Sequence, residues 1–280
     1  MKKVAIQGYA GSFHHIAAQK YEGAAVEIVP CDTFRAVARE VESRRVDYGV
    51  MAIENSIAGS ILPNYNILQK CNVHIVGEIC LQIRQNLMVN RGVKLEDICE
   101  VESHQMALLQ CADYLDAHSW RLVESADTAL SAAELQRSGS RTTAAVAGEL
   151  AAELFDLDIV ARDIHTNRNN YTRFLILEYC DRTQFKPEVE RDGGNKASLY
   201  FKVQNSTGSL YETLGMMSGL NINMTKLQSY PIPDQPFHYM FHVDMEFGDI
   251  AQLREVVNRM RSNGVEVQIY GVYNKNVETL

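Results

Sequence analysis

Short apolar runs recur up to about residue 180, at Val4–Ile6, Val26–Val29, Tyr48–Ile53, Val73–Val76, Arg121–Val123, Ala144–Val146, Ile159–Ala161 and Phe174–Leu177. Runs of this length, set off by polar stretches, predict buried strands. Between them Phe34, Val37 and Val41 hold one helical face, as do Leu108, Cys111 and Leu115. Strand–helix alternation predicts an α/β fold with a mostly parallel sheet. Periodicity leaves open whether these strands make one sheet or two small lobes.

The pattern changes after Asp181–Lys196, DRTQFKPEVERDGGNK, which has one proline, a Gly193-Gly194 pair, many charges and no amphipathic period. This composition predicts a linker. Beyond it Leu199, Phe201 and Val203 alternate with polar neighbours, predicting a strand with one wet face. Leu210, Leu214 and Met217 then follow helical spacing, with Gly219 as the stop. Extended segments follow around Met224–Leu227 and Tyr239–Met245, the latter with Tyr239, Phe241, Val243 and Met245 on one face. Asp249 and Gln252 form a capping pair for a helix with Leu253, Val256, Val257 and Met260 inside. Gly264 ends that helix and Val265–Ile269 makes a last strand. The order β-α-β-β-α-β is the ferredoxin-like α+β unit.

Composition narrows the function classes. The chain of 280 residues is 46% hydrophobic and 22% charged, which excludes a disordered or disulfide-stapled scaffold and leaves room for about two domains. A net charge of −8, with seven basic and eight acidic residues from Lys196 onward, predicts no nucleic-acid or anionic-membrane partner. An anionic substrate must therefore be held by a local pocket. Met1-Lys2-Lys3 runs directly into the first strand with no apolar signal segment, and no window is apolar enough to span a membrane, so a cytoplasmic protein is expected. The six cysteines (31, 71, 80, 99, 111, 180) never form C-x-x-C and pair with no histidine at zinc spacing. Buried free thiols and no metal are the expectation.

Four segments place small or polar residues at strand ends, where open α/β sheets bind ligands. Gln7-Gly8-Tyr9-Ala10-Gly11-Ser12-Phe13 combines glycines with a helix start, a pattern that suits an anion or simply a tight turn. Its G-x-x-G spacing argues against a dinucleotide-binding oxidoreductase. Glu54, Asn55 and Ser56 follow the strand ending at Ile53, as ligand groups or as a capping turn. Ser103 and His104 precede the Leu108 helix, with His104 as base, orienter or structural partner. Asn169-Asn170-Tyr171-Thr172-Arg173-Phe174 opens a buried strand with a hydroxyl and a guanidinium suited to proton delivery and carboxylate recognition, or to no more than a surface strand end.

Gly8–Phe13, Ile53-Glu54-Asn55-Ser56, Ser103-His104 with Ala107-Leu108 and Gln110-Cys111, and Asn170–Phe174 together resemble prephenate dehydratase, in the family's motif order. The tail, from Gly208-Ser209-Leu210 through Asn221-Ile222-Asn223 to Lys226-Leu227, is similar to an ACT regulatory domain. The chain departs from the family at Ser103-His104-Gln105-Met106 (usually Ser-His-Pro-Gln), Gln228-Ser229-Tyr230-Pro231 (usually Glu-Ser-Arg-Pro) and Thr207-Gly208-Ser209-Leu210 (usually Pro-Gly-Ala-Leu).

The resemblance implies a catalytic region over 1–182 with two α/β lobes of the type II periplasmic-binding kind, a linker over 183–196 and an ACT domain over 197–280. It implies a cofactor-free lyase that turns prephenate into phenylpyruvate for phenylalanine synthesis. No chorismate mutase segment precedes Lys3, so a monofunctional chain is expected. Thr172 and Arg173 are the expected catalytic residues, with Arg173 either organising a substrate carboxylate or bracing the strand through a buried pair. Ser12, Glu54, Asn55, Ser56, Ser103, His104, Asn170 and Phe174 are the expected substrate contacts. Phenylalanine is the expected effector, held by Gly208, Ser209, Leu210, Asn221, Asn223 and Ser229, in a homodimer or homotetramer. Arogenate, whose side chain is an amino acid in place of the keto acid, is the alternative substrate. A non-catalytic amino-acid sensor is the alternative class.

Overall fold

The computed structural model describes residues 1–183, 193–232, 235 and 238–276. The first sheet collects β1 (Lys2–Gln7), β2 (Val26–Cys31), β3 (Tyr48–Asn55), the short β4 (Gly59–Ser60) and β5 (Val73–Gln82). The chain then crosses into a second sheet of β6 (Asn86–Asn90), β7 (Glu100–His104), β8 (Arg121–Ser125), β9 (Thr143–Ala147) and β10 (Leu157–Ala161). It returns through β11 (Tyr171–Tyr179), which inserts between β3 and β5, antiparallel to both. The strand orders are β2-β1-β3-β11-β5 and β10-β6-β9-β7-β8. Two lobes joined by two crossings answer the question that periodicity left open. The crossings are bonded together where Ile83 N donates to Asn170 O at 2.7 Å.

The third sheet contains β12 (Lys196–Lys202), β13 (Asn223–Pro231), β14 (Tyr239–Glu246) and β15 (Glu266–Tyr273) in the order β13-β14-β12-β15, antiparallel throughout. Helices Ser209–Ser218 and Ile250–Ser262 complete a ferredoxin-like βαββαβ unit, the second helix starting in the expected Asp249–Gln252 capping box. Most of the predicted linker, residues 184–192, lies outside the described residues.

One face of this module matches the alternation: Leu199, Phe201, Val243 and Met245 pack under the two helices. The other face is not wet. Ser198, Tyr200, Met240, His242 and Asp244 are buried, and Tyr200, Met240, Tyr270 and Tyr273 share a core with Ile53, Leu175 and Leu177 of the first lobe. The module's sheet lies on the back of the first lobe, so closely that a Cβ on Gly271 would overlap the Ile75 carbonyl. The helix predicted through Leu108, Cys111 and Leu115 breaks at Cys111 into Gln105–Gln110 and Ala112–Leu115. Among the cysteines, all free, Cys31, Cys111 and Cys180 are buried, whereas Cys99 is exposed against expectation. Among the described residues no helix is long and apolar enough to cross a membrane.

Candidate active site

The lobes meet around a cleft of about 230 Å³. The first lobe supplies Gln7, Ser12, His14, Asn55, Thr172 and Phe174, the crossing supplies Gln85, and the second lobe supplies His104, Gln110 and Asp127. Glycines permit the close approach of the walls. Gly8 has φ +90°, and a Cβ there would stand 2.8 Å from Asp127 Oδ2; Gly11, also at φ +90°, abuts Ala151.

Thr172 and Asn55 face each other across the β11–β3 ladder. The Asn55 Oδ1 accepts from the backbone amides of Ile57 and Ala58, both at 2.9 Å, which fixes the orientation of the side-chain amide. Its Nδ2 therefore donates to Thr172 Oγ1 at 3.0 Å and to Asn170 Oδ1 at 2.7 Å. A threonine oxygen that already accepts keeps its own proton for a cleft ligand. The arrangement makes Thr172 a hydrogen-bond donor aimed at whatever the cleft holds.

The remaining predicted residues divide by location. Ser12 caps helix Phe13–Glu22 at the cleft wall, and Phe174 packs edge-on against His14 at 4.9 Å on the cleft side. His104 lines the cleft and caps its short helix, Nδ1 accepting from Met106 N at 3.2 Å. Asn170 is buried in the crossing, where it holds Asn55. Ser56 stands outside the lining; its hydroxyl donates to Asn169 O and accepts from Tyr171 N, bracing the return loop. Ser103 is fully buried and donates to Val146 O at 2.6 Å, tying β7 to β9. These two support the cleft without reaching it.

Arg173 and Glu54, expected as catalytic residue and substrate contact, stand on the opposite face of the sheet. Side chains alternate along β11, so with Thr172 and Phe174 toward the cleft, Arg173 must face away. Its Nε donates to Glu78 at 2.7 Å and its Nη1 to Asp244 at 2.5 Å, on the C-terminal module. Lys196 Nζ reaches both Glu78 oxygens at 2.9 and 3.0 Å, and Ser198 donates to Asp244 at 2.5 Å. Burial opposes the charge on Arg173, yet Asp244, Tyr273 and Glu78 raise its pKa well above the ordinary arginine range. Burial likewise opposes the Asp244 charge, but Arg173 and Ser198 hold its carboxyl below the usual range.

Glu54 turns away because β3 bulges there. Arg173 pairs with Glu54 and Phe174 with Ala52, leaving Ile53 as the extra residue. The bulge sends Ile53 and Glu54 to the back face together and returns Asn55 to the cleft opposite Thr172. Glu54 Oε1 then meets Lys226 Nζ of the module at 2.7 Å.

The sequence reading passed over His14, Gln85 and Asp127. His14 directly follows the Gly8–Phe13 motif; burial lowers its pKa to about 4, and its Nε2 is sealed from solvent with no hydrogen-bond partner among the described residues. That Nε2 and the equally unpartnered Gln85 Oε1 are atoms a ligand can satisfy. Asp127 follows the end of β8 as a helix cap, a fifth instance of the strand-end design.

The predicted effector residues do not form one site within a single protomer. Gly208, Ser209 and Leu210 line a cavity of about 310 Å³ with Tyr239 and Phe241. Asn221 and Asn223 lie at the other end of the module, where Asn223 pairs with Glu246 in the ladder. Ser229 is exposed on β13, the edge strand.

Known proteins carry the same frame. A chain from Arabidopsis thaliana, arogenate dehydratase/prephenate dehydratase 2, is 39% identical over 87% of this chain, which spans 65% of that protein's length. The bifunctional chorismate mutase/prephenate dehydratase of Aquifex aeolicus is 33% identical over 98% of this chain and 74% of its own. Among solved structures, one described as a quorum quenching acylase superposes with a TM-score of 0.84 at 28% identity over 98% of both chains. The prephenate dehydratase of Arthrobacter aurescens in complex with L-Phe superposes at 0.83 with 24% identity, over 97% of this chain and 90% of its own. Residues 4–182, both lobes and the whole cleft, match the family model of prephenate dehydratase, and it is to the prephenate dehydratase family that this chain belongs.

Proposed function

We propose that the cleft catalyses the decarboxylating dehydration of prephenate, or of its amino-acid counterpart arogenate, in the formation of phenylalanine. The observation that carries this reading is the Thr172–Asn55 pair, which presents a hydroxyl proton to an interlobe cleft in a chain of this family. In the reaction the ring carboxylate leaves as carbon dioxide, and the electron pair of the broken bond enters the ring. The ring hydroxyl leaves as water, taking up one proton, and the ring becomes aromatic. Thr172 donates a hydrogen bond to the departing hydroxyl while Asn55 fixes the direction of that bond. The alcohol acts by polarising the leaving group within a hydrogen-bond chain, because its own acidity is too low for a free acid. Aromatisation supplies the driving force.

The ferredoxin-like module is read as an ACT domain that binds phenylalanine, a reading supported by the Arthrobacter protein's having been solved in complex with L-Phe. Since Gly208–Leu210 and Asn221–Asn223 sit at opposite ends of one module, an effector touching both groups bridges two copies of the chain.

The likeness to an acylase is weighed by the same hydroxyl. Acyl transfer calls for a nucleophile bonded to a base, whereas Thr172 Oγ1 is bonded to an asparagine amide and His104 Nδ1 to a backbone amide. Incubation of the purified chain with prephenate and with arogenate, following aromatic absorbance, tests the proposal. Turnover that persists in chelator is expected. Absence of an aromatic product from either substrate overturns it.

A further inference from the structure

The cleft carries a carboxylate that the dehydration itself does not use. Asp127 opens helix Thr128–Ser138, and its Oδ1 accepts from Ala129 N at 2.8 Å and Leu130 N at 3.0 Å. Its Oδ2 has no hydrogen-bond partner among the described residues and faces Gly8 of the other lobe, 2.8 Å from where a Cβ would stand. Glycine with φ +90° at that point lets the acid reach across. Among the described residues no lysine or arginine lines the cleft, so the acid faces no full cation there. Burial pushes its carboxyl above the usual range, against the pull of the Leu130 and Ala129 amides and of His104. An ammonium beside Oδ2 would reverse that displacement and supply a charge-assisted hydrogen bond.

The two substrates differ in this one respect. Prephenate brings two carboxylates and a keto group and is doubly negative. Arogenate brings the same two carboxylates with an ammonium and is singly negative. A cleft wall with one acid and no full cation repels the first more than the second, and repulsion is as much a source of selectivity as attraction.

We propose that Asp127 Oδ2 receives the ammonium group of an α-amino acid side chain, making Asp127 the residue that sets this cleft's preference for arogenate over prephenate. The proposal rests on the dehydratase reading above.

Asparagine caps helices as well as aspartate does, so Asp127→Asn removes the charge and keeps the helix start. The test is kcat/KM for both substrates, in the wild-type chain and in Asp127→Asn, alongside thermal unfolding of each. The wild-type chain is expected to favour arogenate by about tenfold or more, a ratio within reach of one buried polar contact. Asp127→Asn is expected to lower the arogenate value by about tenfold or more and to raise the prephenate value, because the repulsion is gone. A wild-type preference for prephenate overturns the proposal, even where the variant fails to fold. So does a variant that lowers both values in the same proportion, the signature of a cap alone. Turnover of neither substrate overturns the dehydratase reading beneath it.

Discussion

The chemistry assigned to Thr172 depends on a residue that does none of it. A free threonine hydroxyl rotates among three staggered positions and donates in any direction. Here the Asn55 amide, held by Ile57 N and Ala58 N, occupies an acceptor position of the oxygen at 3.0 Å and leaves the proton available to a cleft ligand. This bond exists before substrate arrives, and such preorganisation is what makes a neutral donor effective at a developing charge. Thr172→Ala should therefore lower kcat by about 10²–10⁴ with a smaller change in KM. Thr172→Ser keeps the hydroxyl but loses the methyl that restricts its rotation, so part of the rate should remain. Steady-state kinetics on the better substrate decides it: an alanine variant with more than half the wild-type kcat would remove Thr172 from the mechanism.

At the scale of elements, β11 is the strand on which both halves of the molecule depend. One face carries Thr172 and Phe174 to the cleft, and the other carries Arg173 into a network with Glu78, Asp244, Lys196 and Ser198. Two cations and two carboxylates balance there, so loss of one member leaves a buried charge unmatched. Arg173→Met should destabilise the chain by about 3–5 kcal/mol, read from denaturant unfolding. A loss under about 1 kcal/mol, the level of an exposed pair, would contradict this account. The sequence revealed β11 through its run Phe174–Leu177, and strand alternation alone could have sent Arg173 away from Thr172. It could not reveal the bulge at Ile53, because a bulge is a relation between two strands with no mark in either. For that reason the sequence puts Glu54 at the cleft and the fold puts it on the back face. Strand β7, Glu100–His104, shows only one apolar residue, since Ser103 is buried by a hydrogen bond to Val146 instead of by hydrophobicity. The strands of the C-terminal module were legible from their apolar face. Their second buried face was not, because it mixes charged groups with aromatic ones and its charges are met by distant partners, Asp244 by Arg173 and Lys196 by Glu78, 71 and 118 positions away in the chain.

For the whole molecule, the consequence is that the C-terminal module grips residues adjacent in sequence to the reactive pair. Asp244 holds Arg173 next to Thr172, and Lys226 holds Glu54 next to Asn55, at 2.5 and 2.7 Å. Lys226 lies on β13, the edge strand of the module, and also donates to Ser60 Oγ at 2.7 Å on β4, which pairs with β3. If phenylalanine binds the module and shifts β13 or β14, these two grips move the backbone that sets the Thr172–Asn55 bond. Energetic coupling between sites is usually worth about 1–3 kcal/mol, or 5–150-fold in affinity. Phenylalanine should therefore inhibit turnover at concentrations where calorimetry registers its binding. Lys226→Gln, which loosens the grip on Glu54 while leaving Gly208–Leu210 in place, should still bind phenylalanine but show at least a severalfold weaker inhibition. Linkage between binding affinities is reciprocal, so to the extent that phenylalanine weakens substrate binding, substrate should weaken phenylalanine binding to the wild-type chain by the same factor. Calorimetry with and without a substrate analogue, beside the rate assay, measures both. No heat and no inhibition at millimolar phenylalanine would refute the regulatory reading. Full inhibition in Lys226→Gln would leave regulation standing but move its route away from Glu54 and β3.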